Sequence, residues 1–266
     1  MTEMMKHFAY LILPVLLILS ATCASAQQSS YPEDMLNIEE ATFITVKYKG
    51  ASPSIVDFIN ALINEEDGMG MPMDSGNIID AWNHYLRNEK QEPGVEVVVD
   101  KKNGYVRITT EYTEDYDGEH HVYKGYFESC FWNCADGKHK LFAININSSD
   151  NGRYFEGQTT GLSLSLYDNG RHIMWDINEE EVGLDVSPIP DEYEYNAETE
   201  LYYIKDYETG KQLTLNNDEF WRWREQRPIK VFWLPQQGKD IICEIHSGSK
   251  CDTFKHVWDG MRFNQQ

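Results

Sequence analysis

The chain has 266 residues, 23 basic and 44 acidic side chains, a formal net charge of −21, and 41% hydrophobic and 13% aromatic residues. This apolar and aromatic content excludes a disordered chain. The excess of acid argues against a nucleic-acid binder, which needs a basic surface.

The first 26 residues have the order of a secretory signal peptide. A basic start precedes an apolar run at 8–19, and small residues follow up to Ala24-Ser25-Ala26. The apolar run is shorter than the roughly 20 residues that span a bilayer. We predict cleavage after Ala26 and export to the periplasm or the medium. The alternative is a lipid anchor on Cys23. No later stretch of the sequence is apolar and long enough to span a membrane.

Residues 27–94 are predicted to hold one strand and two helices. Thr42–Tyr48 alternates and is β-branched, which is typical of a strand. Ser52 and Pro53 predict a helix start, with Ser52 as the N-cap. A second helix is expected to begin near residue 74 or 75 and to end before Pro93-Gly94.

Residues 95–266 predict mainly strands. Asn151-Gly152 and Asn169-Gly170 are hairpin signals between them, and one short helix is expected at Asn217–Arg224. The fold class is therefore α+β: an N-terminal strand and two helices, then about ten mainly antiparallel strands in a meander or sandwich, with 27–94 and 95–266 integrated in one domain. The predicted strands are Val95–Val99, Tyr105–Thr110, Val122–Trp132, Lys140–Asn147, Thr160–Tyr167, Arg171–Trp175, Leu201–Ile204, Gln212–Leu215, Ile229–Leu234, Ile241–Ile245 and Thr253–Trp258.

The segment Asp176–Glu200 stands out by its charge. It contains ten acidic residues, no basic residue and two prolines. Charge runs of this kind usually lie in solvent, so we predict an exposed loop.

Four cysteines follow the signal segment, and an even number in an exported chain predicts disulfides. Folding the last hairpin about a three-residue loop at 246–248 places Cys243 opposite Cys251 and Glu244 opposite Lys250. By exclusion, Cys130 pairs with Cys134. The alternative is a zinc site, although the C-x2-C spacing that makes such a site convincing is absent from the sequence.

The sequence contains no H-E-x-x-H, G-x-S-x-G or P-loop motif, and acids are too abundant for any pair to indicate catalysis. We expect no cofactor and assign no catalytic residue. Asp115, Asp117 and Glu119 offer oxygen ligands to a metal, but a plain hairpin turn at Asp117-Gly118 is preferred. The run at 69–73 offers three methionine thioethers to copper, although a loop covering the helix pair is preferred there too.

The aromatic residues provide the candidate binding site. Trp132, Trp175, Trp221 and Trp223 are candidates for stacking on a sugar or peptide. Trp221 and Trp223 alternate with arginines, and large aromatic rings usually lie in the core, so we expect these two to be mainly structural.

Three further short motifs are Trp132–Lys138 (WNCADGK), Leu234–Gln236 with Gly238–Ile241, and Trp258–Gly260 (WDG). Together they resemble a set of small exported proteins of Gram-negative bacteria. That set has no assigned activity, so the resemblance implies export and assigns no catalytic residue.

These features predict an exported, non-catalytic protein that binds an envelope or extracellular ligand, most concretely a glycan or peptide on an aromatic sheet. They predict no nucleic-acid partner. The alternative is a secreted hydrolase whose carboxylates converge only in the folded chain.

Overall fold

The computed structural model describes residues 43–64, 76–116, 118–154, 161–184, 191–206, 210–224, 228–247 and 249–266. The predicted signal segment, Cys23 and the methionine run at 69–73 lie outside the described residues.

The described residues form three α-helices, fifteen strands and one short 3₁₀ helix at Glu179–Val182. The α+β class with mainly antiparallel strands is confirmed. The helices are α1 (Ile55–Ile63), α2 (Gly76–Leu86) and α3 (Asn217–Arg224). The strands are β1 (Phe43–Thr45), β2 (Val95–Asp100), β3 (Tyr105–Tyr116), β4 (Glu119–Asn133), β5 (His139–Asp150), β6 (Arg153–Tyr154), β7 (Gly161–Asp168), β8 (Ile173–Ile177), β9 (Asp191–Asn196), β10 (Leu201–Asp206), β11 (Gln212–Leu215), β12 (Ile229–Trp233), β13 (Asp240–Ser247), β14 (Lys250–Trp258) and β15 (Phe263–Gln265).

The strands form three antiparallel sheets. The large sheet has the order β1-β8-β7-β5-β4-β3-β2, with β6 paired to β5. A three-stranded sheet has the order β11-β10-β9, and a four-stranded sheet the order β12-β13-β14-β15. Most neighbours are consecutive in sequence, so hairpins account for nearly all of the topology.

The large sheet buries both of its faces. Along β5, Phe142 and Ile146 pack against α1 and α2, whereas Leu141 and Ala143 pack against residues of the four-stranded sheet. This alternation follows from the two-residue period of a strand. The large sheet is therefore the middle of three layers, between helices α1 and α2 on one side and the four-stranded sheet on the other.

The helical layer begins two residues later than predicted. Ser54, not Ser52, precedes the first residue of α1, and its backbone N–H and hydroxyl donate to Asp57 Oδ2 at 2.7 and 2.6 Å. A Ser at the N-cap and an acid three residues later form a capping box, in which the side chain of each residue bonds to the backbone N–H of the other. Pro53 precedes the helix. Trp82 of α2 donates to Asn60 Oδ1 of α1 at 2.8 Å and joins the two helices.

A buried carboxylate joins the large sheet to the four-stranded sheet. Glu128 is completely buried, and it accepts hydrogen bonds from Tyr105 Oη at 2.6 Å, Arg107 Nη2 at 2.6 Å and the backbone N–H of Leu234 at 2.9 Å. Burial and the Glu128 charge raise the pKa of Tyr105 far above its usual range. Because these donors occupy its oxygens, Glu128 is a structural residue.

The predicted pairing of Cys243 with Cys251 is wrong. Ser247 lies opposite Lys250 and His246 opposite Cys251, so Cys243 faces Phe254 instead. The connection is therefore Gly-Ser, a favoured two-residue hairpin sequence. This shift puts the two cysteines on opposite faces of the hairpin, one buried and one exposed.

The predicted bridge between Cys130 and Cys134 is also absent, and no disulfide joins any of the four described cysteines. Strand β4 stays extended to Asn133, and four extended residues span about 13 Å, beyond disulfide range.

The acidic segment 176–200 is not one continuous loop. It contains the end of β8, the 3₁₀ helix and the whole of β9. Among the described residues, no helix is long and apolar enough to cross a bilayer.

Candidate functional site

The three-stranded sheet has one aromatic face and one polar face. Tyr193 and Tyr195 lie two residues apart on β9, so both rings point to the same face. On β10, Tyr202 lies opposite Tyr195, and Ile204 lies opposite Tyr193. Glu194, between the two tyrosines, points to the other face, where it lies opposite Tyr203.

Helix α3 covers part of this aromatic face. Phe220 is buried and stacks on Tyr202, with ring centroids 3.8 Å apart and an interplanar angle of 5°. The next residue, Trp221, donates from its indole nitrogen to Asn217 Oδ1 at 3.1 Å. The cover is incomplete, because Tyr193, Tyr195 and Trp221 remain 48%, 49% and 48% exposed.

We call these three residues, Tyr193, Tyr195 and Trp221, the aromatic edge. Phe220 connects two of them, since its ring lies 5.0 Å from that of Tyr193 and 5.3 Å from that of Trp221. The ring of Tyr195 lies 4.8 Å from that of Tyr202, on which Phe220 stacks. Tyr and Trp, whose rings have an apolar face and a polar tip, are enriched at protein interfaces. A cleft of about 310 Å³ is lined mainly from the other face of this sheet, by Glu194, Tyr203, Lys205, Gln212 and Thr214, together with Tyr193, Ile204 and Leu213.

Within the part of the chain that the structure describes, β9 is an edge strand of its sheet. Edge strands are templates for pairing with another extended segment, and charged residues discourage pairing with a second copy. The sequence from Asp176 to Glu200 has ten acids and no base, and the whole chain has a net charge of −21. The strand therefore combines an aromatic face with strongly acidic surroundings.

The structure separates the four tryptophans that the sequence singles out. Trp132 and Trp175 are buried in the core between the large and four-stranded sheets. Trp221 is exposed, which corrects the expectation of a mainly structural residue, while Trp223 is half-buried. The accessible rings of the candidate site include two tyrosines that the sequence analysis missed, and their alternation with an acid in Y-E-Y is the signal that could have found them.

The weak metal candidates near Gly118 do not converge. Tyr116 lies opposite Glu119 and Asp115 opposite His120, so Asp115 and Glu119 point to opposite faces of a hairpin. His120 Nδ1 lies 2.8 Å from Asp115 Oδ1, and both side chains are exposed. Asp117 lies outside the described residues.

A different set of metal-binding side chains meets on the last hairpin. Glu244 and His246 lie two residues apart on β13, and Cys251 lies opposite His246 on β14. Their ligand atoms all lie within 4.8 Å of one another. The ring of Tyr154 lies 5.0 Å from that of His246, and burial, aided by the charges of Tyr126 and Glu244, raises the pKa of Tyr154 to about 12.

The motifs that carry the resemblance meet in the structure. The backbone N–H of Ala135 donates to Gly260 O at 2.8 Å, and Trp258 Nε1 donates to Asn133 O at 3.2 Å. A Cβ on Gly260 would lie 3.0 Å from that of Ala135, at a φ of +109°. These residues join the large sheet to the four-stranded sheet, so their role here is packing.

Comparison of the chain with protein families, curated proteins and solved structures found no match. The resemblance to exported proteins therefore stays a prediction.

Proposed function

We propose that the chain is an exported, non-catalytic binding protein and that its aromatic edge recognises an extended, cationic peptide segment. The observation that carries the proposal is the exposure of Tyr193, Tyr195 and Trp221 beside an edge strand in an acidic region. Peptides commonly bind such strands by adding one strand to the sheet, and side-chain contacts then provide specificity.

The alternation of tyrosine and glutamate along β9 defines the sequence pattern of the peptide that it would bind. A strand added next to β9 would lie about 4.8 Å away, with alternate side chains on each face. Residues on one face would contact Tyr193 and Tyr195, whereas those on the other would lie beside Glu194. The matching sequence alternates apolar residues with lysine or arginine.

The acidic surroundings favour this partner over a second copy of the chain. Two molecules that each carry a net charge of −21 repel each other, whereas a cationic segment is attracted and its association is accelerated. A neutral glycan would stack on the rings without using this charge, so it is the alternative that the experiment must separate.

The test is calorimetric titration of the protein with a peptide that alternates lysine and valine. We expect binding that weakens as salt is added, because charge contributes to it. Tyr195→Ala should weaken the binding by about fivefold to thirtyfold, as truncation of an interface aromatic typically does. Tyr112→Ala is the matched control, since Tyr112 is 59% exposed but lies on the large sheet.

Two further ligands separate the alternatives. A peptide with glutamate in place of lysine should not bind, and one with proline at the backbone-pairing positions should bind weakly. Binding of a neutral oligosaccharide that is lost in Tyr195→Ala, with no binding of the basic peptide, would contradict the peptide proposal and favour the glycan.

A further inference from the structure

We propose that Glu244, His246 and Cys251 form a zinc-binding site on the β13–β14 hairpin. His246 Nε2 lies 3.1 Å from Glu244 Oε2 and 3.8 Å from Cys251 Sγ. All three ligand atoms lie within 4.8 Å of one another. The site is independent of the aromatic edge, which lies on a different sheet.

These separations suit a tetrahedral zinc ion. Zinc bonds are about 2.3 Å long to sulfur, about 2.05 Å to nitrogen and about 2.1 Å to oxygen. In a tetrahedral site, bonds of these lengths place the nitrogen about 3.4 Å from the oxygen and about 3.6 Å from the sulfur. The two distances in the hairpin differ from those values by about 0.2–0.3 Å, within reach of small side-chain rotations.

Strand register is what brings the three residues together. Glu244 and His246 lie two positions apart in sequence, so both point to one face of β13. Cys251 faces His246 directly across the pair, and Cα atoms at such positions are about 4.5–5.5 Å apart. The backbone therefore places all three residues on one face without any help from the metal, which lowers the entropy lost on binding.

The donor set favours zinc over calcium or magnesium. A thiolate and an imidazole are ligands for zinc and similar transition metals, whereas calcium and magnesium prefer oxygen alone. Three protein ligands leave the fourth tetrahedral position to water. The thiolate and the carboxylate together balance the charge of a divalent cation.

Neighbouring side chains support the site. Trp233 Nε1 donates to Glu244 Oε2 at 3.1 Å, the kind of outer contact that orients a metal-binding carboxylate. The ring of Tyr154 lies 5.0 Å from His246 and 5.9 Å from Trp233, and it shields one side. Cys251 is exposed, so an ion can enter from solvent.

A hydrogen bond between Glu244 and His246, without a metal, would explain why those two side chains lie together, but it would give Cys251 no role. A carboxylate–histidine pair also exists between Asp115 and His120, and none of the described residues beside that pair in the β3–β4 register is a cysteine. That exposed pair therefore provides a matched control for weak binding of zinc at any acid–histidine pair.

The test is titration of the reduced, metal-free protein with zinc in competition with a chromophoric chelator, repeated with cobalt as a spectroscopic probe. We expect one zinc per chain and a thiolate-to-cobalt charge-transfer band. Cys251→Ser should abolish the band and weaken zinc binding at least hundredfold. Trp233→Phe should weaken zinc binding about tenfold to hundredfold, as the loss of a hydrogen bond to a metal-binding side chain does. His120→Ala should change neither.

Folding controls separate loss of the site from loss of the fold. Cys251 is exposed, so the metal-free Cys251→Ser protein should unfold at the same temperature as the metal-free parent. Zinc should raise that temperature only in the parent, since an ion that binds the folded state stabilises it. Zinc binding that is equal in the parent and Cys251→Ser, or no binding at all, would overturn the proposal.

Discussion

Tyr202 of β10 stacks face to face on Phe220 of α3, with ring centroids 3.8 Å apart. Phe220 is buried, and its ring also contacts those of Tyr193 and Trp221. This stack therefore holds the helix on the sheet and fixes the position of the aromatic edge.

Replacing Phe220 by Ala should destabilise the protein and weaken peptide binding together. Loss of a buried phenylalanine costs about 3–5 kcal/mol of unfolding free energy. Circular dichroism during urea unfolding measures the first effect, and calorimetric titration measures the second. Wild-type stability in this variant would show that the stack does not hold α3 in place.

Trp258 and Trp221 should respond oppositely to replacement by Ala. Trp258 is 1% exposed and packs against Trp132 and Phe263, so its loss should cost about 3–5 kcal/mol. Trp221 is 48% exposed, so its loss should change stability by about 0.5 kcal/mol or less. Urea unfolding of the two variants provides the comparison, and equal destabilisation would contradict the assigned burial.

Asp136 should make stability depend on pH in the acid range. Burial raises its pKa, but hydrogen bonds from His139 and from the backbone N–H groups of Lys138 and His139 outweigh this, and the net pKa lies below its ordinary value of 3.8. A lowered pKa in the folded state adds stability that is complete above the unfolded value and disappears as pH falls through the folded value.

Asp136→Asn should therefore cost about 1 kcal/mol at pH 7. The difference from the parent should shrink as the pH falls below about 4. Urea unfolding at several pH values measures this, with Asp252→Asn as an exposed control. A difference that stays constant down to the folded pKa would rule out the ionised hydrogen bonds as its source.

The N-terminal segment gives a prediction about export. If residues 1–26 are a signal peptide, the mature chain begins at Gln27 and carries no lipid. Mass spectrometry of the protein recovered from outside the cytoplasm measures this end directly. A diacylated chain that begins at Cys23 would instead favour the membrane anchor.

Local sequence signals predicted most of the large sheet. The Asn-Gly pairs at 151–152 and 169–170 lie at the ends of β5 and β7, as expected of hairpin turns. Strand β9 was missed because its acids suggested a solvated loop, although its two tyrosines alternate with them. Here the packing of Phe220 on the sheet outweighed the low strand preference of acidic residues.

The candidate sites depended on register, which is harder to predict. A two-residue connection after Ser247, in place of the predicted three-residue loop at 246–248, moved the partner of Cys251 by three positions, from Cys243 to His246. That shift replaced an expected disulfide by a set of metal-binding side chains. The Glu128 cluster was also hidden, because Leu234 lies 106 residues away along the chain from the carboxylate to which it donates.

The measurement that tests the central claim most directly is hydrogen exchange, followed by mass spectrometry, with and without the alternating lysine–valine peptide. If the peptide adds a strand to the sheet, amide exchange in β9 should slow markedly on binding. The same segment should show no protection in Tyr195→Ala at equal peptide concentration. Protection confined to the large sheet, or binding that leaves exchange in β9 unchanged, would contradict recognition at the aromatic edge.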